Sequence, residues 1–259
     1  MTDMTDRSHY PDSVVNRVAE VTIFFWIMKV IATTLGETAG DFVSMTLGLG
    51  YTTGLAITSG VLLLVLFAQV RAARFHPVLF WLAIIATTTA GTEVSDLMDR
   101  TLNLGYVGGS LILVAGLFAT LGIWYYRDRD LSVEPIVRTD AELMFWIAVV
   151  FSNSLGTAFG DALVDVVGLT FIQGALVTGA VIAVVLLLHY ATNVNRIALF
   201  WAAFIFTRPF GATFGDFLTK SVSKGGLHLG RFDASAVAVG LLMAVMLFAH
   251  RGRLVARAA

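Results

Sequence analysis

The sequence predicts an all-α polytopic membrane protein, with eight transmembrane helices forming four parallel two-helix repeats in two pseudo-symmetric halves. Three observations lead there. Of 259 residues, 57% are hydrophobic and only 14% are charged, where a soluble domain carries about 25% charged residues. Apolar runs such as "GLAITSGVLLLVLFA" (54–68) and "VTGAVIAVVLLLHYA" (177–191) recur along the chain, and runs of roughly 20 mostly apolar residues span bilayers. A motif also repeats four times, and repeats govern architecture.

Phe-Trp occurs at 25–26, 80–81, 145–146 and 200–201. Ten residues after Trp26, Trp81, Trp146 and Trp201 stand Gly36, Gly91, Gly156 and Gly211. Fifteen residues after them stand Asp41, Asp96, Asp161 and Asp216, each preceded by a small residue. The copies start 55, 65 and 55 residues apart, so a pair of repeats has been duplicated.

Each copy supplies a motif segment and a plain apolar segment. The first motif segment is 21–47, with "TTLGETAGDF"; 51–70 is its plain partner. Segment 77–101 carries "TTAGTEVSDL" and is followed by 106–126. After the polar stretch "RDRDLSVEPIVRTD", segment 140–167 carries "NSLGTAFGDA" and is followed by 171–191. Segment 196–220 carries "RPFGATFGDF", with Pro209 expected to kink it because proline lacks an N–H, and 233–250 completes the set. The chain divides into an N-terminal tail (1–20), a first half (21–126), a linker (127–139), a second half (140–251) and a C-terminal tail (252–259). The first twenty residues are polar and acidic and lack a signal-peptide core, so they read as a retained tail. An even number of helices per repeat makes the repeats parallel about the membrane normal.

One side of this arrangement collects eleven Lys and Arg residues and the other four. The positive-inside rule then places both termini in the cytoplasm. The four Trp rings are expected at the cytoplasmic interface, where amphipathic rings partition. Each Asp falls roughly 22 Å further along its helix, in the outer third of a core about 30 Å thick.

The Trp, Gly and Asp pattern resembles an uncharacterised bacterial multispanning membrane-protein family built of four tandem two-helix repeats with a shared tryptophan. The resemblance covers nearly the whole chain. It implies architecture and a bacterial inner (cytoplasmic) membrane, and it supplies no activity.

Chemistry must come from the residues. On a helical wheel with Trp at zero, offsets four, seven, eleven and fifteen fall at about 40°, −20°, 20° and 60°, on one stripe. Offset four is apolar (Val30, Ile85, Val150, Ile205), and offset seven is polar (Thr33, Thr88, Asn153, Arg208). The expected ladder is an apolar constriction, a polar ring, then the aspartates, facing the bundle because lipid satisfies no polar group. The glycines form small-xxx-small pairs that bring helices close.

Eight acids lie in the apolar segments: Glu37, Asp41, Glu93, Asp96, Asp99, Asp161, Asp165 and Asp216. Two bases, Lys29 and Arg208, accompany them, with Arg208 a candidate partner for Glu37 across the axis. Asp99 and Asp165, near helix ends, are expected to be solvated. Six unpaired negative charges cannot be buried bare, which points to protons, bound cations or water.

The resulting expectation is a secondary transporter for a cation, coupled to protons through Glu37, Asp41, Glu93, Asp96, Asp161 and Asp216. Oxygen ligands and the absence of Cys favour a hard divalent ion such as Mn²⁺ or Mg²⁺, with Glu37, Asp41, Glu93 and Asp96 as candidate ligands. A small organic cation is the alternative substrate, since aromatic rings and carboxylates also suit it. A channel is disfavoured by the asymmetric charges. A non-transporting scaffold or sensor is a second class, weakened by the lack of a sizeable extramembrane domain. No G-x-G-D pair, H-E-x-x-H or G-x-S-x-G occurs, so no enzymatic role is expected. The implied partners are lipid and a small cation or protons, with no nucleic acid. No cofactor beyond a bound divalent cation is implied, and the sequence sets no oligomeric state.

Overall fold

The computed structural model describes residues 16–258 except residue 73; most of the acidic N-terminal tail lies outside the described residues. Eight α-helices follow one another: α1 (Ile23–Asp41), α2 (Gly50–Arg71), α3 (Pro77–Asp96), α4 (Gly105–Asp128), α5 (Thr139–Asp165), α6 (Phe171–Ala191), α7 (Arg196–Thr219) and α8 (Arg231–Ala258). Among the described residues there is no strand. Seven of these helices are long and apolar enough to cross a membrane. The exception is α1, which carries Lys29, Glu37 and Asp41 within nineteen residues.

Helix starts follow local chemistry. The side chain of Asn195 caps α7, accepting from the N–H of Ile197 at 2.8 Å. Thr170 and Gln173 form a reciprocal capping box at α6. Pro77 opens α3, where its missing N–H costs nothing. After Asp41 and Asp96 the helices widen into single π turns, Phe42–Thr46 and Leu97–Thr101. The two later motif helices lack this feature. Helix α7 runs through Pro209 without interruption.

The four motif helices close a ring: α1 packs on α3, α3 on α5, α5 on α7, and α7 back on α1. Each plain helix lies against the next repeat's motif helix, α2 on α3, α4 on α5 and α6 on α7, and α8 closes the cycle on α1. Long apolar faces remain exposed on these outer helices, including Leu63, Leu64, Phe67, Leu111, Phe118 and Leu187.

The ring is held together by glycine contacts that repeat around it. A Cβ on Gly36 would lie 2.1 Å from Thr88 Oγ1, and one on Gly211 2.3 Å from Thr33 Oγ1. Gly91 meets the backbone at Asn153 and Ser154, and Gly156 meets the Arg208 stem. In each case the glycine of one repeat receives the offset-seven residue of the next, counted cyclically. Small residues are what let helix backbones approach this closely.

Three expectations are corrected. The Trp rings do not stand out towards lipid: Trp81, Trp146 and Trp201 are buried with Phe25, Phe80, Phe145 and Phe204 in one aromatic core, at the end of the ring where Trp201 Nε1 donates to Leu131 O of the linker (3.2 Å). The offset-four residues are only half-buried. The wholly enclosed layer is instead offset three, where Lys29 stands with the apolar Ile84, Val149 and Phe204. The segments flanking the helices also pack on the ring. The N–H of Arg17 donates to Ile136 O (2.9 Å) and that of Phe75 to Asn16 O (3.2 Å). Val18, Ala19, Val133 and Ile136 are buried with them, so the tail's end and the linker together cover one end of the ring. At the chain's far end, α8 continues through most of the stretch expected to be a tail.

Candidate functional site

Polar side chains fill the axis of the ring in layers. In the first, Lys29 Nζ donates to Asn153 Oδ1 at 3.4 Å and lies 4.0 Å from the centroid of the Phe204 ring. Asn153 Nδ2 in turn donates to Thr87 Oγ1 at 3.1 Å. The contact therefore joins all four motif helices.

Arg208 makes the second layer. It is wholly buried, and its Nη2 donates to Glu37 Oε2 (2.9 Å) and Thr92 Oγ1 (2.6 Å). Its stem lies on Gly156, so it too touches every motif helix. Glu37 is its partner, on the adjacent helix rather than across the axis, while Thr92 is the contact on the opposite side. Thr33 and Thr88 do not face an open lumen. Each hydroxyl donates to the preceding repeat's helix, Thr33 to Thr207 O (3.2 Å) and Thr88 to Ala32 O (3.3 Å).

The third layer holds the four repeat aspartates, all buried. They divide into two pairs, each bridged by one cation. Lys220 Nζ lies 2.6 Å from Asp41 Oδ2 and 3.1 Å from Asp216 Oδ1. Arg100 bridges Asp96 (2.6 Å) and Asp161 (2.8 Å). Arg231 adds a contact to Asp41 at 3.3 Å. Burial alone would lower the pKa of the Lys220 ammonium, but Asp216 and Asp41 outweigh it and raise the group above its ordinary value.

These pairings correct the expected excess of six bare charges. Arg100, Lys220 and Arg231, assigned to the outer side by sequence position, fold back onto the acids. Asp165 is exposed and accepts from Tyr106 Oη at 2.5 Å. Asp99 is buried rather than solvated, with Ser95 Oγ donating to it at 3.3 Å.

One group of carboxylates could hold a cation directly. Oxygens of Glu37, Asp41 and Asp216 all lie within 4.8 Å of one another. This differs from the expected set of Glu37, Asp41, Glu93 and Asp96: Asp96 is held by Arg100, and Glu93 points away towards Gly54 of α2. A groove of about 550 Å³ lies elsewhere, lined by Trp26, Glu134, His189 and Arg196 among others, and contains none of these acids.

Sequence reading overlooked Glu142. It is fully buried and accepts from Arg17 Nη1 (2.9 Å), Gln69 Nε2 (3.0 Å) and Trp146 Nε1 (3.4 Å). Its place four residues before a motif Trp was visible, but the other copies carry Thr22, Pro77 and Ile197 there.

A family model described as Repeat of Unknown Function (DUF347) matches residues 24–75, 79–130, 144–195 and 199–253. No curated protein and no solved structure matches the chain. The four matched stretches cover most of the sequence, each spanning one motif helix and its plain successor, and the chain therefore belongs to the Repeat of Unknown Function (DUF347) family.

Proposed function

We propose that this protein is an inner-membrane secondary transporter for a cation, with a divalent metal ion the favoured substrate and protons the coupling ion. All eight helices cross the bilayer as four parallel repeats in two halves, with both termini cytoplasmic. Although α1 carries three charges in nineteen residues, they face the ring, where lipid does not meet them.

The observation that carries this reading is the Glu37–Asp41–Asp216 cluster, buried on the ring and balanced by a lysine outside the helix. Three carboxylates suit a hard divalent ion. Lys220 occupies the position of a substrate cation as a tethered substitute: substrate entry displaces the ammonium, and its return expels the substrate. The axial layers of Lys29 and Arg208 close the ring below, which favours alternating access over an open pore.

The test is flux in proteoliposomes. Mn²⁺ uptake driven by a pH gradient is expected for the wild type and is expected to vanish in Glu37→Gln and Asp216→Asn. Removing the competitor in Lys220→Met should tighten Mn²⁺ binding. Wild type that moves neither Mn²⁺ nor protons, or carboxylate variants that transport as well as wild type, would sink the reading.

A further inference from the structure

Glu93 stands apart from every other acid in the ring. Its side chain is fully buried, and neither carboxyl oxygen has a hydrogen-bond partner. Among the described residues no cation pairs with it, although Glu37, Asp41, Asp96, Asp161 and Asp216 all have one. The carboxyl lies flat against α2 at Gly54, where an added Cβ would fall 2.7 Å from Oε2 and 3.0 Å from Oε1.

The charged groups acting on it from α1 are Glu37 and Asp41, both acidic, and on its own helix Asp96 and Asp99 follow. Tyr51 is the titratable residue of α2 on this stretch. Ser44, in the π turn after α1, also acts on it. The Ser44 hydroxyl already donates to Gly40 O at 3.0 Å. With that bond in place its lone pairs can accept from a carboxylic acid, whereas giving its proton to a carboxylate would cost the bond to Gly40. An enclosed carboxylate without donors or a cation carries the full cost of its lost hydration, which neutralisation removes.

The repeat supplies an internal control. The residues equivalent to Glu93, twelve after each Trp, are Thr38, Ala158 and Thr213. Thr38 and Thr213 occupy the same kind of contact with the outer helix: Thr38 Oγ1 meets Ser235 Oγ of α8 at 2.8 Å. Thr213 faces Gly174 of α6, the counterpart of Gly54. The fold builds this contact twice without a carboxyl; in the repeat of Ala158 the counterpart glycine, Gly109 of α4, instead meets the Asp99 carboxyl, 2.2 Å from an added Cβ.

We propose that Glu93 is a proton-binding site, carrying the proton at the contact between α3 and α2, off the ion-paired axis. Its role as the coupling site rests on the transport reading above; its occupancy by a proton does not. Substrate cation and coupling proton would then use different carboxylates, and the ion-paired aspartates need not release their cations for a proton to bind.

Infrared spectroscopy of the purified full-length protein in nanodiscs at neutral pH tests this, with Glu93→Gln and Glu93→Thr as variants. Glu93→Thr installs a residue that the same position already holds in two other repeats, so it is expected to fold. The wild type should show the carbonyl stretch of a protonated carboxylic acid, shifted in D₂O, and both variants should lose one carboxyl's worth of it. An unchanged band in folded Glu93→Thr overturns the proposal. In proteoliposomes, Glu93→Gln should retain downhill Mn²⁺ flux and lose its response to a pH gradient. Loss of the band with no transport in the wild type leaves the proton site standing and removes the transport reading.

Discussion

The pair between Arg208 and Glu37 offers the sharpest energetic test of the ring. Arg208 is 0% exposed and Glu37 3%, and their charged atoms are 2.9 Å apart. With an effective dielectric of about 20, their gross attraction is about 6 kcal/mol. Desolvation of both groups offsets most of that, so the pair's net contribution is far smaller. Breaking it is a different matter. In Glu37→Gln the guanidinium stays charged, because arginine does not deprotonate, and stays buried, at a cost of about 3–5 kcal/mol. In Arg208→Met the stem on Gly156 is kept, and Glu37 still accepts from Thr92 Oγ1 (3.3 Å), so the loss should be smaller. The double variant has no orphaned charge and should be more stable than Glu37→Gln alone. A double-mutant cycle, read by denaturant unfolding of the detergent-solubilised protein, should give a coupling of about 2–3 kcal/mol. Coupling below about 0.5 kcal/mol would refute the view that these groups form one desolvated unit.

Two further outcomes follow from the same geometry. Gly211→Ala should lose about 1–3 kcal/mol, because its Cβ would lie 2.6 Å from Thr33 Cβ. Gly60→Ala, with open space around it, should gain up to about 1 kcal/mol in helix propensity; equal thermal shifts for the two would contradict the ring packing. Lys220 has a raised pKa in the folded protein, so its stabilisation is complete below the unfolded value of about 10.4 and is lost only as pH rises through the higher folded value. Thermal midpoints should therefore show no Lys220-dependent trend between about pH 6 and 9. Lys220→Met should be destabilised throughout that window, because Asp216 has no other cation partner among the described residues. A wild-type stability loss below about pH 9 that Lys220→Met abolishes would contradict the assignment.

The local chemistry of the site was legible in the sequence where it depends on spacing within one helix. The offsets from each Trp place Gly and Asp correctly because helical rise and twist are fixed by the backbone. The wheel failed on one point, which angle of the wheel faces the axis. That angle is set by how four helices lean on one another, and here the glycine contacts turn offset three inward, with Lys29 and Phe204, and leave offset four half-buried. The aspartates' neutralisation was also out of reach. Lys220, Arg100 and Arg231 sit at helix ends and read as outer-side charges, yet their long side chains reach back over the ring.

By itself, the sequence determined that this is a helical chain suited to a membrane, built of four copies of one element. It did so because apolar length and helical period are local properties. Only the tertiary structure decided that the copies close into a ring with α8 on α1, and that Glu37, Asp41 and Asp216 meet while Glu93 is left alone. Those facts join residues far apart in the chain, and they depend on backbone approach and side-chain reach. Spacing along a single helix encodes neither.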